Sequence, residues 1–430
     1  MNVYLRGVSA PRPRLRELGH LVPILRDGLL DSYLRWALEA KDDFVIHAGP
    51  VRHVVVVRPE SARQVLGGDP AFERNIAPTR NLFGRGLLRL EGAPWRARRQ
   101  RFAPPFRGEM LDEAVPIIQE ETTRMISAWR ARSAPFKPAR DLSFLTLRVL
   151  GRLLFGFEFE EGRHGGRALH AALITLATDS VLRHLLPAPL VWAMNVRAVR
   201  SARRFLDGLC AEVLARGGDT PFMSALRAAR AEGELDGPTA IDELRTFLIA
   251  GHETTATALA WTLATVASDP SIAAPLRPER ELAARARSSE HVAELKATLL
   301  TVKEVMRLYP PVPLSVSVAN ADTSLGDLPI PRGTLVDVCA YVLHRLPWLW
   351  PDPHRFDAQR FVTPPPPGTW LPFLIGPHTC IGARLAMLEL PLIAARILDA
   401  FELSLPDGPP RVNLRLSLHP AGLRLAVRPR

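Results

Sequence analysis

The sequence predicts a mainly α-helical protein with a small β portion, organised as one large domain over residues 1–430. From residue 94 to residue 308, apolar residues recur three and four positions apart, the period of amphipathic helices. Shorter stretches near both ends alternate between apolar and polar residues, as half-buried strands do. No shift in composition marks a domain boundary, and no internal repeat occurs.

The elements follow in a simple order. A basic, proline-containing lead-in over residues 1–20 precedes a helical stretch, and a short strand pair and a short helix come next. A series of helices with Pro and Gly clusters between them fills the middle of the chain, and strands return towards the end. The predicted helices cover residues 21–40, 59–67, 111–131, 142–155, 168–185, 196–215, 238–268 and 381–398, and the strands lie within residues 44–57, 315–341 and 411–427, the last as a terminal hairpin.

Composition restricts the class of protein. With 430 residues, 47% of them hydrophobic, the chain can bury a large core. It contains no run of 18 uncharged apolar residues, so we expect no transmembrane anchor. The three cysteines, Cys210, Cys339 and Cys380, are too few and too scattered for a disulfide framework or a zinc site. A reducing compartment, the cytoplasm, fits this composition best.

The net charge of +11 comes mostly from arginines that are spread along the chain. A basic balance is compatible with nucleic acid, an anionic membrane or an acidic protein partner. No aromatic stacking motif is interleaved with the arginines, which argues against nucleic acid. We therefore expect an acidic protein partner.

One cysteine has an unusual setting. Phe373, Gly376, His378, Cys380 and Gly382 form the pattern F-x-x-G-x-H-x-C-x-G directly before an apolar helix. Glycines on both sides allow a tight loop that a flat partner can approach closely, and a helix N-terminus favours a thiolate. The alternative is a buried, inert cysteine, the usual fate of a lone thiol in a helical protein.

The pattern resembles the haem-ligand loop of the cytochrome P450 monooxygenases. By that resemblance, residues 371–398 form the haem-ligand loop and the helix after it, and Cys380 is the axial thiolate ligand of the iron of haem b, which favours O–O cleavage. His378 would donate to a haem propionate. Phe373, Gly376 and Gly382 belong to the same binding loop.

A second motif interrupts the long helix over residues 238–268. Thr239 is a plausible N-cap, and "AGHETT" places Gly251, Glu253 and Thr254 in the middle of an apolar run. Glycine costs about 1 kcal/mol in a helix interior, and threonines there can bond back to carbonyls and loosen the turn. The segment resembles the family's oxygen-binding groove, in a central helix that passes over the haem. The resemblance implies that Thr254 orients water and bound oxygen and that Glu253 supplies protons.

A third motif, "TVKEVMRLYPPVP", places Glu304 and Arg307 on one helical face. On its own, an exposed pair of this kind contributes less than about 1 kcal/mol. It resembles the family's structural E-x-x-R motif, with Arg360 as third partner, which holds the core behind the haem. Ala358 stands where a proline is common in the family, which makes Arg360 the weaker assignment.

A fourth motif contains Trp95 and Arg99, four positions apart, on a helix that Pro94 can open. The alternative is a solvated basic face with one packed tryptophan. The pair resembles the family's W-x-x-x-R, which hydrogen-bonds a haem propionate. Neighbouring arginines, Arg96, Arg98 and Arg101, then remain for solvent or a partner. Ser317 occupies a position where many relatives carry a propionate-binding arginine.

The four motifs occur in the family's order and spacing, so the sequence predicts a haem-thiolate monooxygenase that inserts one atom of dioxygen into an organic substrate. The resemblance implies electrons from NAD(P)H through separate proteins, an acidic ferredoxin and its reductase. The alternatives are a peroxide-using haem-thiolate enzyme, which would not need the Glu253–Thr254 pair, and a non-enzymatic helical binding protein. An apolar segment over residues 172–196 lies where the family has its mobile lid and suggests a lipophilic substrate from secondary metabolism, but plain core or a membrane-touching surface would have the same composition.

Overall fold

A computed structural model describes residues 19–48, 51–164, 167–185 and 188–430. Nearly all of the predicted basic lead-in lies outside the described residues. The chain is mainly α-helical with a small β portion, as the sequence predicts.

The helices range from single turns to 32 residues. In chain order they are α1 (Leu21–Asp27), α2 (Leu29–Ala40), α3 (Pro59–Leu66), α4 (Arg80–Phe83), α5 (Gly92–Phe102), α6 (Met110–Arg130), α7 (Ala139–Leu150), α8 (Glu161–His164), α9 (Arg167–Leu185), α10 (Ala188–Arg216), α11 (Pro221–Ala231), α12 (Gly237–Ser268), α13 (Pro270–Ala273), α14 (Arg280–Arg285), α15 (Ser289–Ala293), α16 (Lys296–Leu308), α17 (Ala340–Leu343) and α18 (Ala383–Ala400).

The strands are short and lie mainly near the two ends of the chain. In chain order they are β1 (Phe44–Ala48), β2 (Val51–Val56), β3 (Phe72–Arg74), β4 (Leu314–Ala319), β5 (Thr323–Leu325), β6 (Leu328–Ile330), β7 (Leu335–Cys339), β8 (Phe401–Ser404), β9 (Arg411–Leu414), β10 (Leu418–Ala421) and β11 (Ala426–Pro429).

The residues form two compact units. The first contains the described residues of Met1–Asn75 and Lys303–Cys380, and the second contains those of Ile76–Val302 and Ile381–Arg430. The predicted single domain over residues 1–430 stays a prediction.

A five-stranded sheet in the order β1-β2-β7-β4-β3 forms the framework of the first unit. The predicted pairing of the first two strands is confirmed, since β1 and β2 run antiparallel with Phe44 opposite Val55. Strand β7 joins β2 in parallel, and β4 then pairs antiparallel with β7. The sheet thus brings residues near the N-terminus together with residues more than 240 positions later in the sequence.

The second unit is built around α12, which is buried along most of its length. An apolar helix of this kind needs neighbours on several sides, and α7, α10 and α18 pack against it. Its predicted N-cap was wrong. Asp236 is the cap, and its carboxylate accepts from the Thr239 backbone N–H at 2.7 Å.

The predicted terminal hairpin is only partly correct. Strands β9 and β10 form a hairpin. The last strand, β11, leaves it and pairs antiparallel with β8, which follows α18 directly. Sequence alternation identifies a strand but does not name its partner. Within the described residues, none of the helices combines the length and apolarity needed to cross a membrane.

Helix α18 buries a carboxylic acid in the core of the second unit. Glu389 is 5% exposed, and no described residue hydrogen-bonds its Oε1. Burial raises its pKa from 4.5 to about 8. At neutral pH the folded protein therefore holds this side chain as the neutral acid, whereas the unfolded chain ionises it.

This difference predicts a pH dependence of stability. Because the folded-state pKa is raised, the free energy of unfolding falls as pH rises from about 5 to about 8, by up to ~1.4 kcal/mol per pH unit. Glu389→Gln removes the titration, so its stability relative to the natural chain should increase over that interval. Urea unfolding midpoints at both ends of the interval measure it, with the exposed Glu281→Gln as control. Parallel pH profiles for Glu389→Gln and the natural chain would contradict the prediction.

Candidate functional site

The thiol loop, residues 371–380, is held in shape by its own backbone. The Cys380 N–H donates to the Phe373 carbonyl at 2.9 Å, and the Thr379 N–H donates to the Gly376 carbonyl at 3.1 Å. Gly376 has φ +74°, and a Cβ there would lie 2.2 Å from the Leu66 carbonyl oxygen. Only glycine fits this turn, which is the first of the two glycine requirements that the motif predicts.

The backbone conformation does not require glycine at the second motif position, Gly382. Gly382 precedes α18 with φ −88°, a value that any residue adopts. The nearest protein atom to an added Cβ would be a Phe106 ring carbon at 4.0 Å. Packing within the second unit therefore does not explain glycine at this position.

The three thiols differ sharply in exposure. Cys380 is exposed, whereas Cys210 and Cys339 are buried. Burial raises the pKa of each buried thiol to about 12. Cys380 is thus the cysteine that can meet a ligand without rearrangement of the core.

The E-x-x-R pair is fully buried in the first unit. Arg307 Nε lies 2.7 Å from Glu304 Oε2, and Arg307 Nη2 lies 2.8 Å from Oε1. Arg360 Nε lies 3.6 Å from Oε1, so the structure brings the third predicted partner to the pair even though Ala358 replaces the usual proline. The Asp357 N–H donates to the same oxygen at 2.9 Å.

A histidine that the sequence analysis missed connects this pair to the thiol loop. Arg307 Nη1 donates to the His344 carbonyl at 2.7 Å, and His344 Nδ1 lies 2.9 Å from the Arg307 carbonyl. The Leu371 N–H donates to His344 Nε2 at 2.8 Å, so Nδ1 carries the proton. Burial lowers the pKa of His344 to about 3, which keeps the ring neutral and able to accept from Leu371.

A series of aromatic rings also connects Arg307 to Phe373 of the thiol loop. The Arg307 guanidinium lies 5.3 Å from the centre of the Trp350 ring. Ring centres then follow at 5.8 Å from Trp350 to Phe361, 5.4 Å to Trp370 and 6.1 Å to Phe373. Phe373 therefore has a packed support in addition to its backbone bond to Cys380.

Ser317, the departure from the family pattern, lies on β4 and is 2% exposed. It stands directly opposite Arg74 of β3 in the antiparallel register. Cross-strand partners share one face of a sheet, so an arginine is present beside the position where the sequence lacks one.

In the second unit, the threonines of α12 bond back along their own helix. Thr254 Oγ1 donates to the Ala250 carbonyl at 2.7 Å, and Thr255 Oγ1 donates to the Gly251 carbonyl at 2.9 Å. The helix continues through this turn without a break. Gly251 has a packing role, because a Cβ there would lie 2.7 Å from a Leu150 methyl carbon of α7.

Glu253 is half-buried and has a partner far away in sequence. Ser417 Oγ donates to Glu253 Oε1 at 3.2 Å, and Thr257 Oγ1 lies 2.7 Å from Ser417 Oγ. The carboxylate also acts on the nearby His419 ring. Burial lowers the pKa of His419, and the negative charge of Glu253 raises it. No motif in the sequence signals Ser417 or Thr257.

His252 is fully buried beside Glu253. Its Nδ1 lies 2.6 Å from the Leu248 carbonyl, and its own carbonyl accepts from Thr146 Oγ1 at 2.9 Å. Burial lowers the pKa of His252. The backbone carbonyl of His252, and not its ring, therefore makes the hydrogen bond that joins α12 to α7.

Helix α5 carries the W-x-x-x-R pair. Trp95 is buried, and the Arg99 guanidinium lies 5.5 Å from its ring centre. Phe102 at the end of the helix packs against Phe222 and Phe247, with ring centres 5.1 and 5.7 Å apart. These contacts fix α5 within the second unit.

The expectation for the remaining arginines of α5 needs correction. Arg98 forms an ion pair with the buried Glu243. Burial raises the pKa of Glu243 to about 7, although the charge of Arg98 acts to lower it. Arg101 pairs with Glu232 and Glu234. These two arginines are neutralised within the second unit, and only Arg96 of the three is exposed.

The predicted lid segment, residues 172–196, spans the end of α9 and the start of α10, and the side chains of residues 184–190 lie outside the described part. Leu176 and Val191 are buried. Val181, Trp192 and Met194 are about half exposed or more, at 49%, 56% and 60%. The described part of the segment thus has a core face and an exposed apolar face.

Comparison with known proteins gives a consistent result. The family model described as Cytochrome P450 matches residues 10–427. The chain is 31% identical over 412 residues to cyclooctat-9-en-7-ol 5-monooxygenase of Streptomyces melanosporofaciens, covering 90% of this chain and 87% of that protein. It is 26% identical to cytokinin hydroxylase of Arabidopsis thaliana over 93% of this chain and 86% of that protein. It is 28% identical to cytochrome P450 4B1 of Homo sapiens over 93% of this chain and 84% of that protein.

The burial of Glu304 and Arg307 predicts a large stability effect. Arg307→Met leaves a buried carboxylate without its counter-ion, so the free energy of unfolding should fall by about 3–5 kcal/mol. The exposed pair of Arg285 and Glu281 gives the control, because Arg285→Met should cost less than ~1 kcal/mol. Denaturant unfolding of both variants measures the difference. Equal losses would show that burial of the first pair does not matter.

Proposed function

Because the chain belongs to the cytochrome P450 family, we propose that it inserts one oxygen atom of dioxygen into a lipophilic organic substrate, by hydroxylation or epoxidation. The chain is a monooxygenase, and its cofactor is haem b. The finer assignment rests on one observation above all, the exposed Cys380 thiol in a loop that its own backbone holds in place.

The residues of the thiol loop suit haem. Haem b supplies the iron at which dioxygen is activated, and a thiolate ligand favours cleavage of the O–O bond. Cys380 would hold the iron, since the other two thiols are buried with pKa values of about 12. Arg99, Trp95 and His378 would bind the cofactor's carboxylates through charged and neutral donors. Gly376, held in a left-handed turn, keeps the loop compact.

Proton supply is the proposed task of α12. Glu253 is half-buried, so its carboxyl group can take up a proton from solvent and release it inside the unit. The Thr254 hydroxyl bonds the Ala250 carbonyl and keeps two lone pairs as acceptors. A peroxide-using enzyme would not need such a pair. Glu253 and Thr254 therefore support dioxygen as the oxidant.

The lid segment and one bacterial relative support the proposed substrate class. The segment is strongly apolar, and its buried face contains Leu173, Leu176 and Val191. The bacterial relative is named for oxidation of cyclooctat-9-en-7-ol. Both observations support a lipophilic substrate, and we assign the enzyme to secondary metabolism.

Electrons should come from NAD(P)H through a separate redox protein, most simply an acidic ferredoxin with its reductase. The net charge of +11 supports an acidic partner. On α5, Arg96 is the candidate contact, because Arg98 and Arg101 are already paired with acids. The three cysteines, too few and too scattered for a disulfide framework, support the cytoplasm as the location.

The first test concerns the ligand. Cys380→Ser should abolish the red-shifted Soret band of the reduced, CO-bound, haem-loaded protein, because that band requires a thiolate on the iron. Cys210→Ser is the matched control, since a buried thiol of raised pKa should leave the band in place. Persistence of the band in Cys380→Ser would refute the assignment of Cys380.

The second test concerns α12. In Thr254→Ala, NAD(P)H consumption should continue while peroxide per NAD(P)H rises and product falls, because oxygen loses its hydrogen-bond partner. Thr255→Val is the control, since Thr255 makes the same kind of bond one residue further along the helix. The assays use a compound that shifts the absorption spectrum of the haem-loaded protein in a titration. Unchanged product per electron pair in Thr254→Ala would exclude this role.

A further inference from the structure

One face of α12 is fixed to the β9–β10 hairpin at three successive turns. Glu253, Thr257 and Trp261 stand four residues apart, so their side chains leave the helix on one side. Two of them meet Ser417, at 3.2 Å from Glu253 Oε1 and 2.7 Å from Thr257 Oγ1. Trp261 Nε1 donates to the Leu418 carbonyl at 2.6 Å. The hairpin is thereby held next to Glu253.

The hydroxyls in this contact are shielded from water. Ser417 is 1% exposed and Thr257 is 3% exposed, whereas Glu253 is half-buried. Buried hydroxyls need hydrogen-bond partners, and each of these two finds one in the other. A hydrogen bond from such a pair holds a carboxylate more firmly than a bond to mobile water.

Proton counting gives the direction of the bonds. An ionised carboxylate only accepts, so Ser417 donates to Glu253 Oε1. Each hydroxyl has a single proton, so Thr257 in turn donates to Ser417. When Glu253 is protonated on Oε2, Oε1 is a carbonyl oxygen and still accepts from Ser417. The contact therefore persists in both protonation states.

We propose that Ser417, supported by Thr257, is a positioning residue for Glu253. It holds Oε1 and leaves Oε2, which no described residue hydrogen-bonds, in one orientation for proton transfer. The proton that leaves Oε2 is replaced from solvent, which the half-buried side chain can reach. The proposal depends on the proposed function, since it assumes that Glu253 supplies protons.

The positioning role predicts a slower proton-dependent turnover. The haem-loaded protein receives electrons from NADPH through a surrogate ferredoxin and reductase, and oxygen consumption is measured in H2O and D2O. Ser417→Ala should lower the rate about three- to tenfold, the effect of one hydrogen bond, and increase the solvent isotope effect. Ser417→Thr keeps a hydroxyl and should recover most of the rate.

Two variants separate positioning from general damage to the fold. Thr262→Val removes another buried hydroxyl of α12, one that bonds only its own helix at the Ala258 carbonyl, and should leave the rate unchanged. In a Glu253→Gln background, Ser417→Ala should add nothing, because Ser417 acts through that carboxylate. The CO-bound spectrum of every variant reports that haem binding is intact.

An infrared measurement gives a readout that does not depend on turnover. The carboxylate band that Glu253→Gln removes identifies Glu253 in the haem-loaded protein. This band should shift in Ser417→Ala and not in Thr262→Val, because only the former loses a hydrogen bond to the carboxylate.

The outcomes distinguish a failure of the proposed proton supply by Glu253 from a failure of the proposed positioning by Ser417. If Glu253→Gln leaves the rate and isotope effect unchanged, the proposed proton supply by Glu253 fails. Two outcomes would refute the positioning role of Ser417 and leave the proposed function in place, provided that Glu253→Gln slows turnover. In the first, Ser417→Ala has the same rate as the natural chain. In the second, Ser417→Ala slows turnover by the same factor in the Glu253→Gln background as in the natural chain.

Discussion

The buried ion pair of Glu304 and Arg307 is the constraint on which the thiol loop depends. Two charges in a core are costly unless their hydrogen bonds are satisfied. Here both carboxylate oxygens are bound by Arg307, and one also accepts the Asp357 N–H. The remaining guanidinium protons reach backbone carbonyls, among them that of His344. An interaction that would be weak at the surface becomes an anchor for the chain segments that lead to Cys380.

The neutrality of His344 shows how far this arrangement depends on burial. An imidazolium would donate from both nitrogens and could not accept the Leu371 N–H. Because burial holds the pKa at about 3, the ring stays neutral over the whole physiological range. The start of the thiol loop is thus fixed by a bond that ordinary changes in pH do not disturb.

Local sequence patterns predicted the features that depend on neighbouring residues. Helical periodicity located α12 within one residue, and the glycine pattern identified the turn at Gly376. Features that depend on distant residues were missed. The bond between Ser417 and Glu253 joins positions 164 residues apart, and β11 pairs with β8 although the sequence alternates as if it continued a hairpin. In these cases tertiary packing chooses the partner, and no single-sequence signal encodes it.

The exposure of charged side chains was the least predictable property, because it too depends on partners that are distant in the sequence. An arginine count cannot tell a surface cation from one paired with an internal acid, and α5 contains both. Arg96 is exposed, while Arg98 is bound to Glu243 and ties α5 to the first half of α12. Replacement of Arg98 would therefore alter the packing of α12 before it altered any partner's approach. A docking surface has to be derived from the cations that remain after internal pairs are removed, and on α5 the exposed one of these is Arg96.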